Sequence, residues 1–207
     1  MKGSDDMSLH IDSFCQQAVI PAKTRISIED ALGVDIFSMD LVSRLKNYGV
    51  ESSNEVVIVC IGTDRSTGDC LGPLVGTKMT SQSDHDFVIY GTLDDPVHAS
   101  NLNDKLDFIT KVHPNAIIIA IDACLGHLEN VGCINIGDGS LFPGAGVKKS
   151  LPAVGQIHIT GVVNVGGFME YLVLQNTRLN LVMRLADLIK DGLIKTSQLM
   201  KTETRSC

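Results

Sequence analysis

Two segments, Val56-Val57-Ile58-Val59-Cys60-Ile61 and Ala116-Ile117-Ile118-Ile119-Ala120-Ile121, are continuously apolar, rich in β-branched residues and short. Such runs show neither the alternation of a half-exposed strand nor the length of a buried helix. They read as strands covered on both faces, which is the situation of a parallel sheet. Phe87-Val88-Ile89-Tyr90 reads as a further strand, and Val131 to Ile136 and Val154 to Thr160 as two more. Between them lie helical patterns. Phe37, Leu41, Leu45 and Tyr48 recur at helical spacing over about 36–48. Pro73 fits the first turn of a helix that follows the first run, where a missing N–H costs nothing. Ser100 is a suitable N-cap for a helix carrying Leu102, Leu106 and Ile109, and residues 168–191 form a long pattern ending at Gly192. Strands alternating with helices predict an α/β domain with a mainly parallel sheet. The first thirty residues carry little periodicity, so the expected organisation is an N-terminal arm over 1–35, one domain over 36–195 and a flexible tail over 196–207.

Composition narrows the function classes. With 44% hydrophobic and 20% charged residues among 207, the chain is globular and long enough for a sizeable core. Seventeen Lys and Arg against twenty-four Asp and Glu give a net charge of −7, which argues against duplex nucleic acid as the main ligand. Aromatics at 4%, with no Trp, argue against a base-stacking single-strand binder. Met1 to Asp6 is polar and acidic with no apolar segment after it, and the run ending at Ile121 is too short to span a bilayer. The expectation is a soluble cytoplasmic protein without a membrane partner. Six cysteines include no Cys-x-x-Cys pair, so zinc-ribbon and thioredoxin-type spacings are absent and reduced thiols are expected. Ten of the nineteen glycines fall between Gly126 and Gly167, marking that stretch as rich in loops that approach something closely.

The chemistry concentrates where strands end. Gly62 to Pro73 links a buried strand to a helix, the place where open α/β sheets bind ligands. It is not a phosphate loop. Five residues separate Gly62 from Gly68, and Asp69 stands where a Walker lysine belongs. Asp69 reads either as a helix cap or as a functional acid. Asp122 ends the second apolar run, so parallel strands would bring both carboxylates to one edge of the sheet. Two close carboxylates share a proton, which leaves one able to activate water and the other able to donate. They could equally hold a metal ion, or Asp122 could serve a turn. His158 is either a third member of such a site or a satisfied strand histidine, and His127 stands similarly. His85, His98 and His113 read as solvated, and Cys70 as a buried inert thiol. Asp84 to Asp107 holds six Asp against one Lys, a solvated face that could attract a basic substrate.

Thr67-Gly68-Asp69-Cys70-Leu71-Gly72-Pro73 resembles the Thr-Pro-Asp-x-Leu-Gly-Pro segment of the bacterial spore germination protease. Ala120-Ile121-Asp122-Ala123 is similar to that family's second aspartate motif, and Pro143-Gly144-Ala145-Gly146-Val147 to its downstream loop. Order and approximate spacing agree over about residues 55–165. The whole chain resembles the shorter YyaC-type sporulation proteins, most specifically over Cys60 to Asp69. The resemblance implies a three-layer α/β/α sandwich of the phosphorylase/hydrolase-like kind, shared with hydrogenase maturation proteases. It also implies an aspartate-dependent endopeptidase whose essential acids fall on Asp69 and Asp122. The chain departs from the germination protease at Gly68, where that family has Pro, and at Lys148-Lys149, where it has Gly-Asn.

These readings combine into one expectation with two rivals. The expected protein is a sporulation-associated peptidase, cytoplasmic or of the forespore. Asp69 and Asp122 are catalytic, while Gly62, Thr63, Asp64, Gly68 and His158 line the cleft. No cofactor or metal is expected. The expected partner is a peptide or small protein, including basic spore proteins, and a homo-oligomer is compatible with the chain. The rivals are a metal-assisted maturation-type protease using Asp69, Asp122 and His158, and a non-catalytic peptide-binding protein of the same fold.

Overall fold

The computed structural model describes residues 22–50, 54–144, 151–167 and 169–204. Six strands form one sheet: β1 (Lys23–Ser27), β2 (Val56–Cys60), β3 (Val88–Tyr90), β4 (Ile117–Gly126), β5 (Cys133–Asp138) and β6 (Ile157–Val165), in the order β1-β5-β6-β4-β2-β3. The β3–β2, β2–β4 and β4–β6 pairs are parallel, and β5 and β1 complete the sheet antiparallel. Helices α1 (Gly33–Asn47), α2 (Leu71–Thr80) and α5 (Leu179–Thr204) cover one face, and α3 (Leu102–Val112) covers part of the other. The result is a three-layer α/β/α arrangement with a mostly parallel sheet. A short helix, α4 (Glu170–Gln175), lies before α5.

The two apolar runs are the centre of this arrangement. Every residue of β2 is buried. Ile58 and Cys60 face the core under α1, α2 and α5, while Val57 and Val59 face the smaller core under α3. Ile119 and Ile121 of β4 join the first core and Ala120 the second. Alternate residues pointing to opposite faces explain why the runs must be apolar throughout.

Several boundaries differ from the sequence reading. Residues 23–27, assigned to the N-terminal arm, form an edge strand whose Ile26 is 1% exposed. Their hydrophobic pattern is too short to register as periodic, and the pairing partner, β5, lies far along the chain. Val154 does not open β6 but bridges Leu141, and β6 runs on to Val165. Ser100 lies just outside α3, whose cap position is Asn101. The helix expected over 168–191 is two helices, and α5 continues through the expected tail, burying Thr196 and Ser197. Gly192 is not a terminator. It lies inside α5, where a Cβ would sit 2.3 Å from Cδ1 of the buried Phe37. The glycine allows α1 and α5 to approach.

One buried charge ties α1 to the β1 edge. Arg44 is fully buried, and its Nε donates to Asp40 Oδ2 at 2.7 Å. Its Nη1 donates to Asp138 at the end of β5. Thr24 of β1 donates through Oγ1 to Asp40 Oδ1 at 2.6 Å. A buried cation so surrounded is costly to strand by removing its partners.

Gly192→Ala tests the helix contact. At an exposed helical position this change stabilises by about 1 kcal/mol. Against Phe37 the overpacking cost of about 1–3 kcal/mol outweighs that gain. The urea midpoint should fall below that of the unaltered protein.

Candidate functional site

The parallel register of β2 and β4 places Cys60 opposite Ile121, so Asp122 is the first β4 residue beyond the end of β2. The chain leaving β2 must turn away there. Ile61 donates its N–H to Ile121 O at 2.7 Å, and Gly62 donates to Val97 O at 2.8 Å. Gly62 has φ of 143°, and a Cβ on it would lie 2.1 Å from Asp69 O. Only glycine permits this approach, and it brings the loop back so that Thr63 N–H reaches Asp69 O at 3.0 Å. Asp69 then sits in a single 3-10 turn, Thr67–Cys70, directly before α2.

Asp69 does not cap α2. The cap position is Cys70, and no side-chain cap hydrogen bond is made there. Asp69 and Asp122 instead line one cavity of about 490 Å³ at the carboxyl ends of β2 and β4. Asp122 is 8% exposed, and its Oδ1 accepts a 2.8 Å hydrogen bond from the Ala123 N–H. Burial pushes its pKa well above the usual carboxylate range, and the nearby Asp69 charge pushes it further, against the weaker pull of that N–H. Burial also raises Asp69, but the neighbouring His98 opposes the rise. Both carboxyls are thus raised, the deeper Asp122 well above the usual range, and His98 opposes the rise at Asp69.

His98, expected from the sequence to be solvated, lines this cavity. It follows Val97, which bridges Ile61 in parallel, so the sheet itself carries it to the site. Its turn is pinned: His98 N–H donates to Asn101 Oδ1 at 2.8 Å, and Asn101 Nδ2 donates to Pro96 O at 2.9 Å. The Ser100 N–H donates to His98 Nδ1 at 3.3 Å, so the neutral ring carries its proton on Nε2. No periodicity marks this segment as the continuation of a strand, and the placement is visible only through the Ile61–Val97 bridge.

The remaining expected residues divide. Gly62 and Thr63 line the cavity. Asp64, Gly68 and His158 are not among its lining residues. Asp64 is exposed in the loop. Gly68 is a packing residue: a Cβ there would lie 2.8 Å from Leu174 Cδ2 and 2.9 Å from Leu174 O, so it accommodates α4. His158 pairs with Ala120 of β4, two residues before the Asp122 level, and its Nδ1 donates to Gly139 O at 3.0 Å. His127 is exposed. Among the described residues no group of three or more His, Cys, Asp and Glu is arranged to hold a metal ion, so Asp69, Asp122 and His158 do not form a metal-ligand set. Cys124 also lines the cavity, but burial raises its thiol pKa, as it does for Cys70, which disfavours the nucleophilic thiolate. No helix among the described residues is long and apolar enough to cross a membrane.

A family model described as "Protein of unknown function (DUF1256)" matches residues 25–192. A curated relative, "Uncharacterized protein YyaC" of Bacillus subtilis (strain 168), is 53% identical over 176 residues, covering 85% of this chain and 84% of the relative.

The buried acid has a stability signature. Asp122 has a folded pKa above its unfolded value of about 3.9. Its favourable contribution is complete below the unfolded value and is lost as pH rises through the folded one. Asp122→Asn keeps an oxygen for the Ala123 N–H and removes the ionisable group. Its Tm should exceed that of the unaltered protein at pH 7–8, by about 2–4 °C for each kcal/mol relieved. The gap should close below about pH 4. Thermal melts across pH provide the measurement.

Proposed function

The chain belongs to the DUF1256 family, and we propose that it is a sporulation-associated peptidase that hydrolyses peptide bonds with the Asp69–Asp122 pair. The observation that carries the reading is the pairing itself. Two carboxyls of unequal depth face one cavity, and the deeper is held towards its protonated form. The resemblance of the segments around both aspartates to the germination protease supplies the reaction class, and the resemblance to sporulation proteins supplies the setting.

In this reading Asp69 is the base. It takes a proton from a water in the cavity as that water attacks the peptide carbonyl. Asp122 carries the proton that the departing amine needs, and the two carboxyls exchange roles over the cycle. His98, beside Asp69, opposes the rise that burial imposes on that acid. The pair titrates as a unit, so its pH limits belong to both acids together.

Asp69→Asn and Asp122→Asn should each lower the cleavage rate of an unfolded peptide library by about 10²-fold or more. Their circular dichroism should match that of the unaltered protein. Rates should follow a bell-shaped pH profile, and chelator should leave them unchanged. Undiminished cleavage by either variant overturns the mechanism, and a protein that binds peptides without cleaving any is a binding member of the fold.

A further inference from the structure

The helix-bearing layers do not cover the sheet equally. On the Asp122 face, the core under α3 takes residues from β2 and β4 and from the segments beside them, and none from β1, β5 or β6. That half of the face carries two rows in register across four strands. Asp122, Thr160, Asn135 and Arg25 occupy successive strands from β4 to β1. One row away stand Ala120, His158, Gly137 and Lys23, and on the other side the pairs Cys124–Val162 and Cys133–Ser27. Residues paired across strands share a face, so the Asp122 carboxylate and two cations, Arg25 and Lys23, lie on one surface.

The middle of that surface is polar and fixed. Asn135 is 2% exposed, and its Nδ2 donates to Thr160 Oγ1 at 3.4 Å. Arg25 Nε donates to Asn135 Oδ1 at 3.0 Å, and its Nη1 donates to Asn130 Oδ1. The His158 ring lies over Gly137, where a Cβ would come within 2.8 Å of it. Arg25 is thus held by neutral amides, and the ion pairs of the described residues include neither Arg25 nor Lys23. Both cations are exposed.

Resting on the peptidase reading, we propose that the β1–β5–β6 half of the Asp122 face is the docking strip for an acidic segment of an extended polypeptide substrate, whose carboxylates are taken by Arg25 and Lys23. Asn135, Thr160 and His158 form its floor. Three strand spacings separate β4 from β1, about 14 Å, which an extended chain covers in about four residues. The acidic side chains therefore lie about four residues from the bond presented to Asp69 and Asp122. This differs from the basic substrate suggested by overall charge, because the strip itself carries two cations that pair with no carboxylate among the described residues.

The test uses full-length protein carrying Asp122→Asn, so that binding is read without turnover. The probes are two fluorescein-labelled peptides of one apolar central sequence, flanked on one side by Glu or by Lys. Anisotropy should show tighter binding of the Glu peptide, weakening as salt rises. Adding Lys23→Glu, an exposed position outside the hydrogen-bond network, should weaken that binding about fivefold or more while leaving the Lys peptide unweakened. Arg25→Gln, which retains an N–H for Asn135, should act in the same direction. Equal binding of both peptides, or indifference to Lys23→Glu, overturns the strip. So does preferential binding of a single-stranded oligonucleotide that Lys23→Glu abolishes, since the occupant would then be a nucleic acid. Cleavage by the protein with native Asp122 separates the two proposals. Glu-selective binding without cleavage keeps the strip and removes the peptidase, whereas cleavage indifferent to peptide charge does the reverse.

Discussion

The pairing of β2 with β4 is the constraint on which the rest of the molecule depends. Both strands are buried on both faces, so their register is fixed by two cores at once. That register ends β2 one residue before Asp122 and forces the following chain to turn. The turn requires Gly62, and its return path delivers Asp69. A slip of one residue would expose Ile119 and Ile121 on the wrong face and bury Asp122 in the larger core. The site is therefore a by-product of how two apolar strands pack, and its carboxyl is buried because the strand carrying it is.

Burial then divides the labour between the two acids. Asp122 inherits the dry environment of β4, while Asp69, in a one-turn helix at the cavity wall, stays closer to water and to His98. The same residue type acquires two tendencies from two locations, without any difference in its own chemistry.

What was legible in the sequence followed from short-range patterns. The apolar runs announced β2 and β4, and the aspartates at their ends announced the shared edge. The packing of Gly68 against α4 was not legible, because it joins residues with no pattern between them. His98 escaped for the same reason: its strand-like continuation consists of one bridge. β1 was hidden by its brevity, and the length of α5 by Gly192, whose helical role depends on Phe37 of another helix. His158 lies on the correct face, but two residues short of the Asp122 level, a distinction that only register supplies.

The antiparallel edge has a consequence for the order in which the molecule is completed. β1 reaches the sheet only through β5, and β5 reaches β4 only through β6: Lys23 meets Gly137, and Gly137 meets His158. Closing so long a loop is slow compared with forming the helices or the β2–β3 neighbourhood. During synthesis both aspartates leave the ribosome well before β6 does. A chain ending before Ile157 would lack β6, the strand through which β5 and β1 join β4, and so would possess the acids without the surface beside them.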